Sequence, residues 1–330
     1  MHLSLGPIVR LFSRSLYALI EGRKTWYEPI QLTEDASADL KFWLDNINSR
    51  NGFTFKPRPT TSKVMFTDAS DTGYGGFVAE RLNKVICVGK FSNFEKMESS
   101  TSRELSAVKY VLQSFGHIIA NESIQVNIDN IGACRILSVG SSKKHLQSLA
   151  VDVFKHCVKF NINLQPNWVP RDMNQISDFY SKYNDTDNWS IDDNSFYTLS
   201  KRFGPFSIDR FADNNNKKTE RFNSKFYCPN TESVNCFTND WKGENNFLCP
   251  PISLIGSTIR HLKICRASGT LVVPVWPSSY FWPIIYPNGY NIATFVKRFY
   301  VFDPFFTSTC KNSVFDGFAN FKTLALEIKF

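Results

Sequence analysis

The feature that most constrains the fold is an apolar run that ends in a carboxylate. Val64 to Thr67 precede Asp68, and a glycine-rich turn then leads into a second apolar run from Phe77 to Ala79. This pattern is typical of a hairpin that presents an acid at the end of a buried strand. We expect the turn glycines to keep space open beside Asp68. The alternative is an ordinary aspartate that caps a hairpin turn.

Three further acids stand in contexts that suit a shared site. Glu104 opens a pattern of apolar residues at helical spacing, and Asp129 ends an alternating, strand-like run. Asp178 follows a strand-like segment at 164–169 and lies at a helix start. Each acid also has a local structural interpretation. Glu104 stands three residues after Thr101, as in a capping box, and Asp129 and Asp178 suit a helix N-cap and a first helical turn.

Together these motifs resemble the ribonuclease H domain of retroelement reverse transcriptases. The resemblance covers about residues 60 to 183 and includes four short motifs: Thr-Asp-Ala-Ser at 67–70, Ser-x-x-Glu-Leu at 102–105, Asp-Asn at 129–130 and Asn-x-x-Ser-Asp at 174–178. It implies an α/β fold, a ribonuclease H-like mixed sheet with helices on both faces, over residues 61–183. The order of predicted strands and helices agrees with that fold.

The resemblance also implies a chemistry, the metal-dependent hydrolysis of the RNA strand of RNA–DNA hybrids. Two Mg²⁺ or Mn²⁺ ions would be held by Asp68 as the bridging ligand, by Glu104 and Asp129 on one ion, and by Asp178 on the other. Hard cations of this kind prefer oxygen ligands, and four carboxylates nearly balance two divalent charges. Many members of the family carry a histidine on a loop between the third and fourth acids. His145 and His156 fall in that interval, but both have helical surroundings and neither is assigned.

Four lysines on or near the predicted helix at 142–160 suit contacts with the phosphates of a duplex, although a solvated lysine face explains them equally well. They are Lys143, Lys144, Lys155 and Lys159.

Residues 201–330 alternate between strand and helix patterns, which predicts a second α/β domain. They resemble the adenine-methyltransferase-like region that follows ribonuclease H in DIRS-type (tyrosine-recombinase) retrotransposons. That family uses an Asp/Asn/Ser-Pro-Pro-aromatic loop on the flipped base, whereas this chain has Cys-Pro-Pro-Ile at 249–252. A cysteine is a poor acceptor and an isoleucine cannot stack as an aromatic ring, so we expect a degenerate structural module. Asp209 is a candidate vestige of the cofactor-binding strand end, and Trp276, Phe281 and Trp282 suit core packing better than base stacking.

The remaining segments complete the expected domain order. Residues 1–60 read as a helical remnant of a reverse transcriptase thumb or connection, with Thr33 as an N-cap, and residues 184–200 read as a polar linker. Because no Tyr-x-Asp-Asp motif is present, we expect no polymerase activity. We expect instead the C-terminal piece of a longer polyprotein, with a polymerase region upstream, or a truncated reading frame.

Composition narrows the class of protein. The net charge of +8 suits a phosphate-rich partner, although it also fits a merely basic protein. The eight cysteines contain no Cys-x-x-Cys pair, which favours reduced thiols in an intracellular protein. The sequence has no run of eighteen apolar residues, so no membrane span is predicted. The expectation is a ribonuclease H-type endonuclease. The alternatives are an adenine methyltransferase in the C-terminal half and a catalytically inactive nucleic-acid-binding remnant.

Overall fold

A computed structural model describes residues 8–50, 60–79, 84–308 and 313–330. The chain divides into two compact units, residues 1–183 and residues 184–330. Within the described segments, none of the helices combines the length and the apolarity that a membrane span requires. The cysteines in those segments are free thiols, and Cys310 lies outside them.

The first unit is built on one five-stranded mixed sheet with the strand order β3-β2-β1-β4-β5. Strands β1 to β3 form an antiparallel meander, and β4 and β5 run parallel to β1. This topology confirms the ribonuclease H-like sheet. The strands are β1 Lys63–Ala69, β2 Gly73–Ala79, β3 Lys84–Lys90, β4 Ser123–Ile128 and β5 Asn163–Trp168.

Helices cover both faces of this sheet. A Cβ atom on Gly75 would meet the last helix of the unit, and one on Gly76 would meet Val111 in the long helix after β3. Since neighbouring residues of a strand point to opposite faces, these two helices lie on opposite sides. The helices that follow β3 are α4 Asn93–Lys96, α5 Ser100–Phe115, α6 Ile131–Val139, α7 Lys144–Lys159 and α8 Gln175–Lys182, with a 3-10 turn at Arg171–Met173.

Residues 8–50 contain three helices, and apolar side chains of the first and third pack against α7. Phe12 stacks on Phe42 with ring centres 3.6 Å apart, and Trp43 donates its indole N–H to the carbonyl of Phe12. Thr33 accepts a hydrogen bond from the backbone N–H of Ala36 at 3.3 Å, as expected of an N-cap. The three helices here are α1 Ile8–Leu11, α2 Arg14–Glu21 and α3 Glu34–Arg50, and residues 51–59 lie outside the described part of the chain.

The second unit is also α/β. Its main sheet has the order β12-β15-β11-β10-β7, in which β7, β10 and β11 are parallel and β15 runs antiparallel to both of its neighbours. Helix α10, Ile255–Cys265, connects the parallel strands β10 and β11. The strands of this sheet are β7 Ile208–Asp209, β10 Asn245–Leu248, β11 Ser268–Pro274, β12 Val296–Phe302 and β15 Thr323–Lys329. The other strands of the unit are β6 Trp189–Ile191, β8 Asn223–Ser224, β9 Ser233–Val234, β13 Phe305–Ser308 and β14 Gly317–Phe318.

Residues 184–200 differ from the expected linker. They contain strand β6, Trp189–Ile191, and most of helix α9, Asp193–Phe203. Trp189, Ile191 and Leu199 are buried in the core of the second unit. Of the polar residues that suggested a linker, Asp192 caps this helix, because its side chain accepts hydrogen bonds from the first-turn N–H groups.

Candidate metal centre

Two of the four candidate acids lie side by side because their strands are parallel neighbours. Phe66 in β1 is in register with Asn127 in β4. Asp68 and Asp129 each stand two residues further along, so they reach the same edge of the sheet and the same face. The parallel pairing of β1 with β4 therefore positions both carboxylates.

Glu104 reaches the same place from helix α5. Its carboxylate and those of Asp68 and Asp129 each have an oxygen within 4.8 Å of the other two. Glu104 and Asp68 are buried, and Asp129 is partly exposed. Helix α5 is capped by Ser99, which accepts from the N–H of Ser102. Glu104 therefore lies beyond the cap and plays no part in it.

Simultaneous ionisation of these buried carboxylic acids is unfavourable, as their raised pKa values show. Burial, followed by the charges of Asp68 and Asp129, raises the pKa of Glu104 to about 9. The pKa of Asp68 is raised to about 6, mainly by burial. One oxygen of Glu104, Oε2, is buried without a hydrogen-bond partner among the described residues. An all-oxygen set with an orphaned acceptor and crowded negative charge fits a hard divalent cation.

The fourth candidate, Asp178, lies near this trio but outside it. It stands in the first turn of α8, and its charge acts on both Asp68 and Asp129. Both of its carboxylate oxygens accept hydrogen bonds from Lys182, at 2.7 and 2.6 Å. The structure thus brings three of the predicted acids together and holds the fourth in an ion pair.

Close packing of α8 on the β1–β2 hairpin fixes the position of Asp178. Asn174 donates its side-chain amide to the carbonyl of Thr67, and Ser70 donates its hydroxyl to the carbonyl of Ser181. A Cβ on Gly75 would overlap the backbone of α8. The expectation that the glycines keep space open beside Asp68 is therefore wrong, because the backbone of α8 fills that space.

Arg171 is the residue that the sequence analysis missed. It lies on the 3-10 turn after β5, with its side chain 79% exposed, and its guanidinium is 4.0 Å from Asp129 and 3.7 Å from Asp178. The sequence feature that could have identified it is its place directly after Pro170, where the chain leaves β5, the strand beside the one that leads to Asp129.

The two histidines of the interval have other surroundings. A ring nitrogen of His156 lies 3.1 Å from the carbonyl of Leu112, the ring packs on Phe160, and burial lowers the pKa of His156 to about 4. His145 is exposed near the start of α7. Arg171, in the same interval, lies close to the carboxylates of Asp129 and Asp178.

The four lysines on or next to α7 are exposed. Lys144 forms an ion pair with Asp35 at 2.8 Å, and the ammonium of Lys159 lies 5.4 Å from the ring centre of Phe160. Both environments leave the positive charges accessible to solvent, so the face suits phosphate groups and water equally well.

In the second unit, the residues that correspond to a methyltransferase site have structural partners. Cys249 follows β10 and is buried, and burial raises the pKa of its thiol. Asp209 is also buried and accepts hydrogen bonds from the N–H groups of Phe211 and Lys218. Both side chains are buried, so neither is presented to S-adenosylmethionine or to a flipped adenine in this structure.

The aromatic residues of the second unit belong to its core. Phe281 is fully buried, Trp282 stacks on Tyr286 with ring centres 4.8 Å apart, and Trp276 packs against the same core cluster. Their environment explains them without base stacking.

Comparison with known proteins identifies similarities in both units. The sequence model of the DNA N-6-adenine-methyltransferase (Dam) family matches residues 180–282. No curated protein matches the chain. This family match includes Asp209 and the Cys-Pro-Pro-Ile segment at 249–252.

Solved structures of ribonucleases H and of a reverse transcriptase are similar to part of the chain. RNase H1 from the halophilic archaeon Halobacterium salinarum NRC-1 is 15% identical with a TM-score of 0.31, over 36% of this chain and 92% of that one. LC11-RNase H1 in complex with an RNA/DNA hybrid is 17% identical with a TM-score of 0.28, over 36% and 93%. The foamy viral protease-reverse transcriptase in complex with an RNA/DNA hybrid is 13% identical. Its TM-score is 0.27, over 48% of this chain and 21% of that one.

Proposed function

We propose that the first unit is a ribonuclease H-type endonuclease that hydrolyses the RNA strand of RNA–DNA hybrids with two divalent cations, Mg²⁺ or Mn²⁺. The observation that supports it most is the trio of Asp68, Glu104 and Asp129, whose carboxylates come within 4.8 Å at one edge of the mixed sheet. Such crowding of buried acids is costly unless a cation compensates their charge.

The roles of the acids are proposed from the resemblance to ribonuclease H. Asp68 is the proposed bridging ligand, Glu104 and Asp129 complete one cation site, and Asp178 serves the other. The orphaned Oε2 of Glu104 provides a ligand atom that needs no rearrangement of existing hydrogen bonds. When bound, a pair of such ions activates the attacking water and stabilises the departing oxygen.

The substrate class is proposed from the chemistry of the site and its surroundings. The exposed lysines on or next to α7 suit backbone phosphates, which position a duplex without reading its sequence. The 2′-hydroxyl distinguishes the RNA strand from the DNA strand at a given site. A hybrid offers both features.

Strand-specific cleavage tests this function. The whole chain is incubated with Mg²⁺ or Mn²⁺ and one sequence, prepared as an RNA–DNA hybrid, as duplex DNA and as single-stranded RNA, with each strand labelled in turn. We expect cuts only in the RNA strand of the hybrid. Equal cutting of the DNA strand, or of duplex DNA, contradicts the proposed substrate class.

The order of the two units supports a proposal about origin. A ribonuclease H-like unit followed directly by a segment that matches the Dam family is the order expected of DIRS-type retrotransposons. We propose such an element as the source, with a polymerase region acting alongside this chain. The free thiols suit a reducing, intracellular compartment.

The Dam family match favours one second candidate, adenine methylation by residues 184–330. The burial of Cys249 and of Asp209, whose oxygens accept from backbone N–H groups, argues against it. A calorimetric titration of the whole chain with S-adenosylmethionine tests whether residues 184–330 bind the methyl donor. Binding supports the methyltransferase, and no binding supports a structural or nucleic-acid-binding module.

A further inference from the structure

Asp178 is held by two cationic side chains. Lys182 donates to both carboxylate oxygens, and Arg171 lies 3.7 Å from one of them. The carboxylate itself is 26% exposed, so water screens these ion pairs only in part. Asp178 is therefore compensated by cations of the protein's own chain.

The geometry of α8 explains why Lys182 is placed to do this. Asp178 and Lys182 are four residues apart in one helix, with the acid on the N-terminal side, which is the favourable order for a helical ion pair. Lys182 is also the last residue of the helix, where a positive charge interacts favourably with the helix dipole. The pair is thus favoured by local structure alone.

The backbone of α8 cannot move freely to change this arrangement. Two hydrogen bonds, one at each end of the helix, hold it in place. Asn174 donates its side-chain amide to the carbonyl of Thr67 at 3.0 Å, and the carbonyl of Ser181 accepts from the hydroxyl of Ser70 at 2.8 Å. Side-chain rotation, rather than movement of the helix, must bring Asp178 to a cation shared with the trio.

We propose that Lys182, assisted by Arg171, is a positioning residue that holds Asp178 in an ion pair and must release it before a second cation binds. This inference rests on the proposed two-cation function. The first cation, held by Glu104, Asp129 and Asp68, does not compete with Lys182, because Lys182 contacts Asp178 alone of the four acids. The two cations therefore bind with unequal affinity.

Arg171 extends the same competition. Its Nε lies 4.0 Å from Asp129 while its Nη2 lies 3.7 Å from Asp178, so one guanidinium spans the two acids. With 79% of its side chain exposed, it leaves without breaking core contacts. Because Asp129 belongs to the first cation site and Asp178 to the second, Arg171 faces both sites, whereas Lys182 competes at the second site alone.

A calorimetric titration of the whole chain with Mn²⁺, without nucleic acid, tests the proposal. The wild type is expected to show a tighter and a weaker binding event. Lys182→Met removes the competitor and is expected to strengthen the weaker event by about 2- to 5-fold, the range for one partly exposed ion pair, and to leave the tighter event unchanged. Lys182→Arg keeps the pair and is expected to behave as the wild type.

A matched control is Lys225→Met, which removes another lysine–aspartate pair, of 2.7 Å, from a lysine as exposed as Lys182 but in the second unit. It is expected to change neither event. Lys182 is 58% exposed, so its replacement leaves the fold intact, and equal thermal unfolding without Mn²⁺ verifies this. A weaker event that is unchanged or weakened in Lys182→Met, or a single event in both proteins, overturns the proposal.

Asp68→Asn separates this inference from the proposed function. If the wild type binds no Mn²⁺, or Asp68→Asn binds it as the wild type does, the metal centre itself is refuted. If Asp68→Asn loses the tighter event while Lys182→Met matches the wild type, only the role of Lys182 is refuted.

Discussion

Gly75 in β2 lies directly against Ser181 in α8, so closely that a Cβ atom on the glycine would overlap the backbone nitrogen of the serine. This contact lets the helix that carries Asp178 lie flat on the hairpin that carries Asp68. The position of the fourth acid thus depends on a residue without a side chain.

Replacement of Gly75 by alanine should therefore destabilise the first unit and displace α8. We expect a loss of about 1–3 kcal/mol in the free energy of unfolding, typical of overpacking, and weaker Mn²⁺ binding. Urea unfolding followed by fluorescence and calorimetry measure the two effects. Gly22→Ala is the control, because its Cβ would meet nothing closer than 3.7 Å. An unchanged stability of Gly75→Ala contradicts the packing described.

Asn174 should have a comparable influence on α8. Its amide donates to the buried carbonyl of Thr67, so Asn174→Ala leaves that carbonyl unsatisfied and should cost about 1–3 kcal/mol. Asn46→Ala removes a similar amide-to-carbonyl bond on a more accessible helix and should cost less than about 0.5 kcal/mol. Chemical unfolding of both variants checks the difference, and equal costs would show that the α8 contact is dispensable.

Glu104→Gln should separate stability from cation binding. Because the pKa of Glu104 is raised to about 9, the cation-free protein holds this side chain mainly protonated at neutral pH. The amide is an isosteric neutral replacement, so we expect a change within about 0.5 kcal/mol without a cation. Thermal unfolding with and without Mg²⁺ should show stabilisation of the wild type only. Equal stabilisation of the variant excludes Glu104 as a ligand.

His156 should make the first unit sensitive to acid. Its pKa is lowered from 6.5 to about 4, so the unfolded chain binds the proton more readily than the folded one. Stability is therefore fully present above pH 6.5 and is lost as the pH falls from 6.5 through 4. The loss should be about 1–2 kcal/mol after allowance for solvent screening.

His156→Gln keeps a donor for the carbonyl of Leu112 and removes the titration. Its free energy of unfolding should vary less between pH 6.5 and 4 than that of the wild type, as urea unfolding at several pH values would measure. A variant that loses stability over this range as steeply as the wild type would assign the acid sensitivity to other groups.

The trio of acids was predictable because its signals are local. Asp68 and Asp129 each follow an apolar strand pattern, and Glu104 begins an amphipathic helix, so the residues and their elements are readable in sequence. Their convergence depends on the parallel pairing of β1 with β4, which the family resemblance implies and the structure shows.

The surroundings of Asp178 were not predictable in the same way. The contact of Arg171 with Asp129 joins residues 42 positions apart through a short 3-10 turn, and no periodic pattern marks such a turn. In residues 184–200, the many Asn and Asp residues predicted a linker, although a short apolar pattern in the same segment is typical of a strand. Trp189 and Ile191 are two residues apart, so their side chains lie on the same face of strand β6, and both are buried in the core.

The measurement that tests the central claim most directly is cleavage of a labelled RNA–DNA hybrid in Mg²⁺ by the wild type, Asp68→Asn and Asp152→Asn. Asp152 is a partly exposed aspartate paired with Lys109 outside the acid cluster. The proposed function predicts cuts in the RNA strand by the wild type and by Asp152→Asn, and none by Asp68→Asn. Intact RNA in a hybrid bound by the folded wild type, or undiminished cutting by Asp68→Asn, would contradict it.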